Sequence, residues 1–238
     1  MKIFMLLLAT FLFSSSNENL NNVEKIINNT QKKFELVSDF EVKMRIDLKI
    51  PAFRMPKKKY KAYFKQPNKF KIKTKGFGVL PKTGIFTPPQ ENFNKLKNKV
   101  LLSSNIKDNV IISGELIADS LKLEFPNEYS KLTFKPQVEV LVDTIRWVIQ
   151  NVTTKLDTLK LIEINNEFNE FNDGIFLPAS TEVIYYVKDA KLANWLNKDI
   201  NSMIGSQTDI NSDMIKGTIN INYNNYKINI GLDDRIFD

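Results

Sequence analysis

The chain has 238 residues, of which 42% are hydrophobic, and its 34 basic and 27 acidic side chains leave a formal net charge of +7. It contains no cysteine, which excludes disulfides and the lipidated cysteine of an anchored lipoprotein. It contains no histidine either, so the common nucleophile–base pairs and most zinc sites cannot form. We therefore expect a protein that is not an enzyme and that uses neither a metal nor a cofactor.

The amino-terminal segment has the three parts of a secretory signal peptide. Lys2 gives a basic start, residues 3–13 are almost entirely apolar, and a run of serines follows. A helix over this apolar stretch would rise roughly 16 Å, too little to cross a hydrocarbon core of about 30 Å, which argues against a membrane anchor. We expect residues 1–16 to be a cleaved signal peptide and residues 17–238 to form one exported, periplasmic domain without a lipid anchor.

The first predicted elements are a helix and a set of strands. Apolar residues at helical spacing over residues 20–34 predict an amphipathic helix. Residues 40–50 alternate strictly between apolar and charged side chains, the pattern of a strand with one apolar and one solvated face. The alternation continues over 60–65 and 69–75, on either side of Pro67, with lysine at most of the polar positions. Apolar side chains should therefore collect on one face of an antiparallel sheet.

Shorter patterns predict the remaining elements. The Gly- and Pro-rich segment 76–89 carries several apolar side chains that need a place to pack, and Pro88 suits the start of a short helix containing Phe93 and Leu96. Residues 138–149 fit either a buried strand or a helix. A second amphipathic helix is predicted over 189–205, and Asn224–Asn225 is predicted as the turn of a closing hairpin. Further strands are predicted at residues 110–117, 121–125, 132–134, 155–164 and 181–187.

The predicted fold class is mainly β with a few helices (α+β). A long antiparallel sheet with one apolar face must curl or be covered. Two or three helices cannot cover both faces of such a sheet. We therefore expect a curved antiparallel sheet forming a half-open barrel, with the helices packed on its concave face.

This order of elements resembles the periplasmic lipoprotein-carrier family, the outer-membrane lipoprotein-sorting proteins LolA and LolB with the RseB and LppX-like proteins of the same fold. The motif-like part is the strand starting at residues 39–44 and the strand pair around Pro67, with Phe70 three residues on. The resemblance implies an open barrel whose apolar concave face receives the acyl chains of a lipoprotein or another lipid. LolA-type carriers place an arginine before this proline to help latch the lid, whereas this chain has Lys65 and Gln66. The resemblance thus implies the fold but not release of cargo by that latch.

The resemblance also implies a set of ligand-binding positions on the concave face. A competing interpretation is that these side chains only fill a core, because most buried apolar residues serve packing. The predicted ligand-binding residues are Phe40, Val42, Met44, Ile46, Leu48, Tyr60, Phe64, Phe70, Ile72, Ile26, Ile27, Trp195 and Leu196.

The opposite face of the predicted strands is strongly basic, with ten lysines and no acidic residue between Lys57 and Lys82. Such a face can simply be solvated and protect the sheet from aggregation. It can also dock on anionic lipid headgroups or on an acidic partner. Nucleic-acid binding fits the charge but not an exported protein. The predicted docking residues are Lys59, Lys61, Lys65, Lys69, Lys71 and Lys73.

We therefore predict a monomeric periplasmic carrier, a chaperone that holds lipoprotein acyl chains or free lipid during outer-membrane lipoprotein sorting or lipid transport. The alternative is an RseB-like envelope sensor that binds a membrane regulator. A third interpretation is a hydrolase or metal site that uses carboxylates alone, from Asp233 with Asp234 or from Glu167 with Glu170 and Asp173. It is weaker because solvated loop charge explains those residues better.

Overall fold

The computed structural model describes residues 19–50, 53–54, 57–74, 85–117, 136–187 and 215–238. Several predictions fall outside these residues: the signal peptide, the strands at 121–125 and 132–134, and the helix over 189–205 with Trp195 and Leu196. Of the helices within the described ranges, none combines the length and the apolar composition needed to span a bilayer.

Two helices and eleven strands make up the described chain. Helix α1 covers residues 19–34, as predicted, and helix α2 is the short segment Pro89–Asn94. Single 3₁₀ turns occur at Asn172–Gly174 and Asp234–Ile236. The strands are β1 (Asp39–Ile50), β2 (Phe53–Arg54), β3 (Lys58–Lys65), β4 (Lys69–Lys73), β5 (Leu96–Ser103), β6 (Asn109–Leu116), β7 (Gln137–Asp143), β8 (Val148–Leu156), β9 (Leu159–Phe171), β10 (Ile175–Val187) and β11 (Ile215–Ile228).

The strands form one antiparallel sheet in the order β4-β3-β1-β11-β10-β9-β8-β7-β6-β5, with β2 paired to β1 off this path. The last strand, β11, lies between β1 and β10, so it joins the amino-terminal strands to the rest of the sheet. Within the described chain the two edge strands, β4 and β5, do not pair with each other, so the sheet stays open. The predicted mainly β, half-open architecture is confirmed.

Helix α1 packs against both halves of the sheet. Near its carboxyl end, Phe34 lies with its ring centroid 5.4 Å from that of Phe64 on β3. Near its amino end, Val23 and Ile26 belong to a core cluster with residues of β6, β7 and β8. Because β3 and β6 lie near opposite ends of the strand order, one helix can touch both only if the sheet curves around it. The helix therefore occupies the concave face, as predicted.

Strand β1 shows why this face is apolar. The side chains of Phe40, Val42, Met44 and Ile46 are at most 1% exposed, whereas the alternate residue Lys43 is exposed. Successive side chains in a strand point to opposite faces, so strict alternation in sequence becomes strict partition in space. Each large apolar side chain buried in this way stabilises the fold by about 1.5–3 kcal/mol.

The predicted closing hairpin is wrong. Strand β11 runs from Ile215 to Ile228 and pairs with β1, with a shift in register between Glu41 and Lys43. Asn225 has φ of 58° at this point. Tight hairpin turns and some types of β-bulge both place a residue at positive φ, which asparagine tolerates, so the local pattern does not distinguish them.

The ambiguous segment 138–149 is neither one strand nor a helix but part of a hairpin, with β7 and β8 joined by a turn at residues 144–147. The Asp143 carboxylate accepts hydrogen bonds from the backbone amides of Ile145 and Arg146, each at 2.9 Å, and so stabilises the turn. The predicted strand 155–164 likewise spans two strands, β8 and β9, which meet at a turn at Asp157.

Candidate functional site

A partly enclosed, mainly apolar cavity of about 80 Å³ lies between α1, residues 85–92 and strands β8, β9 and β10. Its only charged lining residue within the described chain is Lys33, whose ammonium lies 5.4 Å from the ring centroid of Phe176. The cavity is lined by Lys33, Phe34, Ile85, Phe86, Thr87, Pro89, Asn92, Trp147, Val148, Ile149, Val152, Ile164, Asn166, Phe168, Phe176, Pro178 and Thr181.

A more open groove of about 330 Å³ lies beside the cavity, along the inner side of edge strand β4. Three residues of one segment, Ile85, Phe86 and Thr87, border both the cavity and the groove. The segment 85–87 is therefore the partition between the two spaces. The groove is lined by Phe64, Asn68, Phe70, Ile72, Ile85, Phe86, Thr87, Pro88 and Glu91.

Phe86 is the central side chain of this partition. Its ring centroid lies 4.9 Å from that of Phe40, 5.2 Å from Phe64, 5.5 Å from Phe34 and 6.4 Å from Phe70. Contacts between aromatic rings at these separations are favourable, so the ring of Phe86 is held in place by the four others. Displacing this one ring would connect the cavity with the groove.

Apart from Lys33, the polar side chains that line the cavity within the described chain are uncharged, and two of them are hydrogen-bonded to each other. The Thr181 hydroxyl donates to the Asn166 side-chain oxygen at 2.8 Å, and the Asn166 amide donates to the Ile149 carbonyl at 3.1 Å. Burial raises the pKa of Tyr223 to about 12, against a smaller lowering by the Thr181 hydroxyl and the Phe86 backbone. Tyr223 is thus neutral at physiological pH. With Lys33 as the one charged side chain among its described lining residues, the cavity wall suits a mainly apolar guest.

The sequence-predicted ligand-binding residues divide between the core and the groove. Phe40, Val42, Met44, Ile46, Leu48, Tyr60 and Phe64 belong to the buried cluster on the inner face of β1 and β3, with Ile72 packed against it. Ile26 belongs to the second cluster, under the other half of the sheet, and Ile27 is packed against it. Phe70 is 37% exposed, and together with Phe64 and Ile72 it lines the groove. Among the described predicted residues none lines the cavity, and their role as ligand contacts stays a prediction.

Most cavity-lining residues of β8, β9 and β10 were missed by sequence reasoning. Val152, Phe168 and Phe176 come from three different strands, and nothing in their local patterns separates a cavity wall from a filled core. The segment 76–89 did carry a signal, because its apolar side chains had no predicted packing site. Ile85 and Phe86 of this segment pack against the core cluster of β1 and β3.

The outer face of β4, β3, β1 and β11 is basic, and its pairing register shows how closely the charges lie. Lys73 is directly opposite Lys61, and Lys61 is directly opposite Lys43 on the next strand. In the neighbouring row Lys59 is opposite Arg45. These side chains surround a shallow depression of about 570 Å³.

Two of the predicted docking lysines are engaged elsewhere. Lys65 and Lys69 bind the Asp234 carboxylate at 2.7 and 3.1 Å, and Lys65 also donates to the Leu232 carbonyl. These contacts hold the carboxyl-terminal tail against the β3–β4 turn, so the two ammonium groups are not available to an external anion in the way that a solvated lysine is. The tail is also held by the Asp39 carboxylate, which accepts hydrogen bonds from the backbone amides of residues 230–232 at 2.9–3.1 Å.

The carboxylates considered for hydrolysis do not form a cluster for chemistry. Glu167 accepts a hydrogen bond from Ser180 at 2.8 Å, and Asp233 accepts from Arg235. Over the residues that the structure describes, no group of three or more acidic side chains is placed to hold a metal ion.

Comparison with known proteins gives a fold but no close relative. No protein-family model matches the chain, and no curated protein matches it. Among solved structures, a putative outer membrane lipoprotein-sorting protein domain from Vibrio parahaemolyticus superposes with a TM-score of 0.54 at 11% identity, covering 90% of this chain and 95% of that one. A DUF1329 family protein from Desulfovibrio piger superposes with a TM-score of 0.53 at 8% identity, covering 92% and 97%.

A LolA superfamily protein from Nitrosomonas europaea also matches, with a TM-score of 0.45 at 12% identity, covering 90% of this chain and 96% of that one. The Vibrio structure, at a TM-score of 0.54, shows that the chain shares the fold of a putative outer membrane lipoprotein-sorting domain. The resemblance predicted from the sequence is therefore confirmed at the level of the fold.

Proposed function

We propose that the protein is a non-enzymatic periplasmic carrier that holds an acyl chain of a lipoprotein or of another lipid against its concave face. The observation that carries this proposal is the Phe86 partition, which separates a mainly apolar cavity from a groove lined by both apolar and polar residues inside an open, curved sheet. The fold shared with a putative outer membrane lipoprotein-sorting domain supports it.

The size of the two spaces indicates how a chain would enter. Ligand sites commonly measure about 300–1,000 Å³. The cavity, at about 80 Å³, is well below that range, whereas the groove, at about 330 Å³, is within it. An acyl chain therefore needs the Phe86 segment to move, so that groove and cavity become one site. The structure then represents the closed form of the partition.

The energies favour such a displacement. Burial of an alkyl chain contributes about 0.8 kcal/mol per methylene, so ten methylenes contribute about 8 kcal/mol. Removing a core phenylalanine from its contacts costs about 3–5 kcal/mol, and Phe86 is only partly buried. The guest chain thus gains more than the closed partition loses.

The predicted ligand-binding residues take a definite place in this proposal. Phe40 and Phe64 lie directly behind Phe86, so its displacement would uncover them to the guest. Phe70 and Ile72 would contact the chain in the groove. The deeper residues of β1, together with Ile26 and Ile27, would form the floor of the widened site.

We also propose where the carrier works and in what form. Residues 1–16 act as a cleaved signal peptide, residues 17–238 form a single domain, and the carrier works as a monomer without a lipid anchor. Its outer lysines contact an anionic membrane surface or an acidic partner while cargo is exchanged, as in lipoprotein sorting or lipid transport.

Two experiments test the carrier. Native mass spectrometry of the protein purified from its own periplasm should show a co-purifying lipid, and a clean unliganded mass in every preparation would contradict the proposal.

In the second experiment, Val152→Phe places a ring in the cavity, and Val100→Phe makes the same change at a side chain that is 46% exposed on β5. A fluorescent fatty acid should bind the Val152 variant at least tenfold more weakly, about 1.4 kcal/mol, and the Val100 variant normally. Equal binding by both variants would place the guest elsewhere.

A further inference from the structure

We propose that the outer face of β4, β3, β1 and β11 binds the phosphate headgroups of an anionic bilayer, so that the protein docks on a membrane through this surface. The surface, called here the cationic face, consists of Lys43, Arg45, Lys59, Lys61, Lys71 and Lys73 around Tyr63. The proposed partner is thus a bilayer surface. That the docked protein delivers a lipid rests on the proposed carrier function, whereas the docking itself does not.

The pairing register places like charges in direct opposition. Lys73, Lys61 and Lys43 form one continuous row across three strands, and Lys59 faces Arg45 in the next row. Directly opposed like charges on one face of a sheet are destabilising. An arrangement that costs stability in the free protein gains stability when anions lie over it, and this favours a ligand role over plain solvation.

The acidic residues on this face do not compensate the charge. Glu41 pairs with Lys61 at 2.8 Å and with Lys227 at 3.6 Å, and Asp47 pairs with Lys57 at 3.0 Å. By contrast, Lys43, Arg45, Lys59 and Lys73 form no ion pair with any acidic residue of the described ranges. Several cations without an acidic partner among the described residues therefore converge on one patch of the sheet.

Tyr63 gives the patch its local shape. The ammonium groups of Lys61 and Lys73 lie 5.3 and 5.4 Å from the centroid of the Tyr63 ring. Cation–π attraction at these distances keeps both lysines along the surface. The depression they border is shallow and spread over adjacent strands. A broad, shallow cationic surface matches a plane of headgroup phosphates better than it matches a single acidic side chain.

The position of this face also fits delivery of a lipid. Strand β4 is an edge strand, with Lys71 and Lys73 on the cationic face and Phe70 and Ile72 on the side of the groove. Docking through the lysines therefore brings the mouth of the groove next to the bilayer. An acyl chain then passes from the bilayer around the edge of the sheet into the groove without crossing water.

Vesicle sedimentation tests the proposal with a charge-matched control. The test variant carries Lys43→Gln, Lys59→Gln and Lys73→Gln, and the control carries Lys32→Gln, Lys95→Gln and Lys107→Gln at exposed sites outside the face. The unmodified protein should bind vesicles of phosphatidylglycerol mixed with phosphatidylcholine, and salt should weaken this binding. Each lysine near an anionic surface contributes about fivefold, so the test variant should bind roughly a hundredfold more weakly and the control within about twofold of normal.

Two further measurements separate this inference from misfolding and from failure of the carrier function. The test variant should melt no lower than the unmodified protein, because opposed like charges have been removed. It should also bind a fluorescent fatty acid in solution normally, since the groove is untouched. Equal loss of vesicle binding in both triple variants, or equal binding to pure phosphatidylcholine, would overturn the proposal. Tighter binding to duplex DNA or to a polyglutamate peptide than to the vesicles would also overturn it.

Discussion

Replacing Phe86 by alanine tests the partition between cavity and groove most directly. The ring contacts four other phenylalanine rings at centroid distances of 4.9 to 6.4 Å. Phenylalanine-to-alanine changes in a full core cost about 3–5 kcal/mol, and Phe86 is partly exposed. We therefore expect a loss of about 3 kcal/mol in the free energy of unfolding, measured by urea denaturation.

The same change should accelerate ligand entry. Without the ring, the cavity and the groove are joined before the guest arrives, so association no longer waits for the segment to move. Stopped-flow mixing with a fluorescent fatty acid should show a faster association rate and an affinity that is unchanged or higher.

The matched control is Phe93→Ala, because Phe93 is 1% exposed and lines neither space. It should destabilise the protein by a similar or larger amount, about 3–5 kcal/mol, without changing the association rate. If Phe86→Ala leaves the association rate unchanged, or if Phe93→Ala raises it equally, Phe86 is not the gate and the reasoning fails.

Three further predictions concern stability. Asp39→Ala removes the acceptor of the amides of residues 230–232 and should cost about 3 kcal/mol in urea unfolding, whereas a neutral result would mean that water replaces the carboxylate. Burial acts to raise the pKa of Asp143, but hydrogen bonds from Arg146 and Ile145 outweigh it and lower the pKa. The ionised carboxylate therefore stabilises the folded protein above the unfolded-state pKa of about 3.9, and this contribution is lost as pH falls through the lower folded pKa. Asp143→Asn should flatten the acid limb of a stability–pH curve, and an unchanged limb would contradict this account. Gly174 has φ of +68°, so Gly174→Ala should lower the free energy of unfolding by about 1 kcal/mol and with it the melting temperature. An unchanged or higher melting temperature would show that the alanine is not strained there.

The secondary structure of the first half of the sheet could be predicted because its signal is local. Along β1 each charged residue is followed by an apolar one, and the period of a strand converts this directly into an outer and an inner face. The inner residues Phe40 and Met44 are accordingly buried and the outer residues Lys43 and Arg45 are exposed. No distant part of the chain had to be known for this result.

The course of β11 could not be predicted in the same way. Asn224–Asn225 favours positive φ, and the structure uses that property for a bulge within a strand that pairs with β1 on one side and β10 on the other. The choice depends on two partners, one of which lies far away in the sequence. A turn motif read by itself carries no information about them.

The apolar inner face of the amino-terminal strands and its basic counterpart were determined by the sequence alone, since each follows from alternation within a few residues. Only the tertiary structure decided where the interior space lies, because a cavity is the volume left over after side chains from several strands have packed. It also decided which lysines meet an acidic partner within the described chain: Asp234 reaches Lys65 and Lys69 only after the carboxyl-terminal tail has folded back, whereas Lys43 and Lys73 form no ion pair with it. Both outcomes depend on contacts between residues far apart in the chain, which no local pattern records.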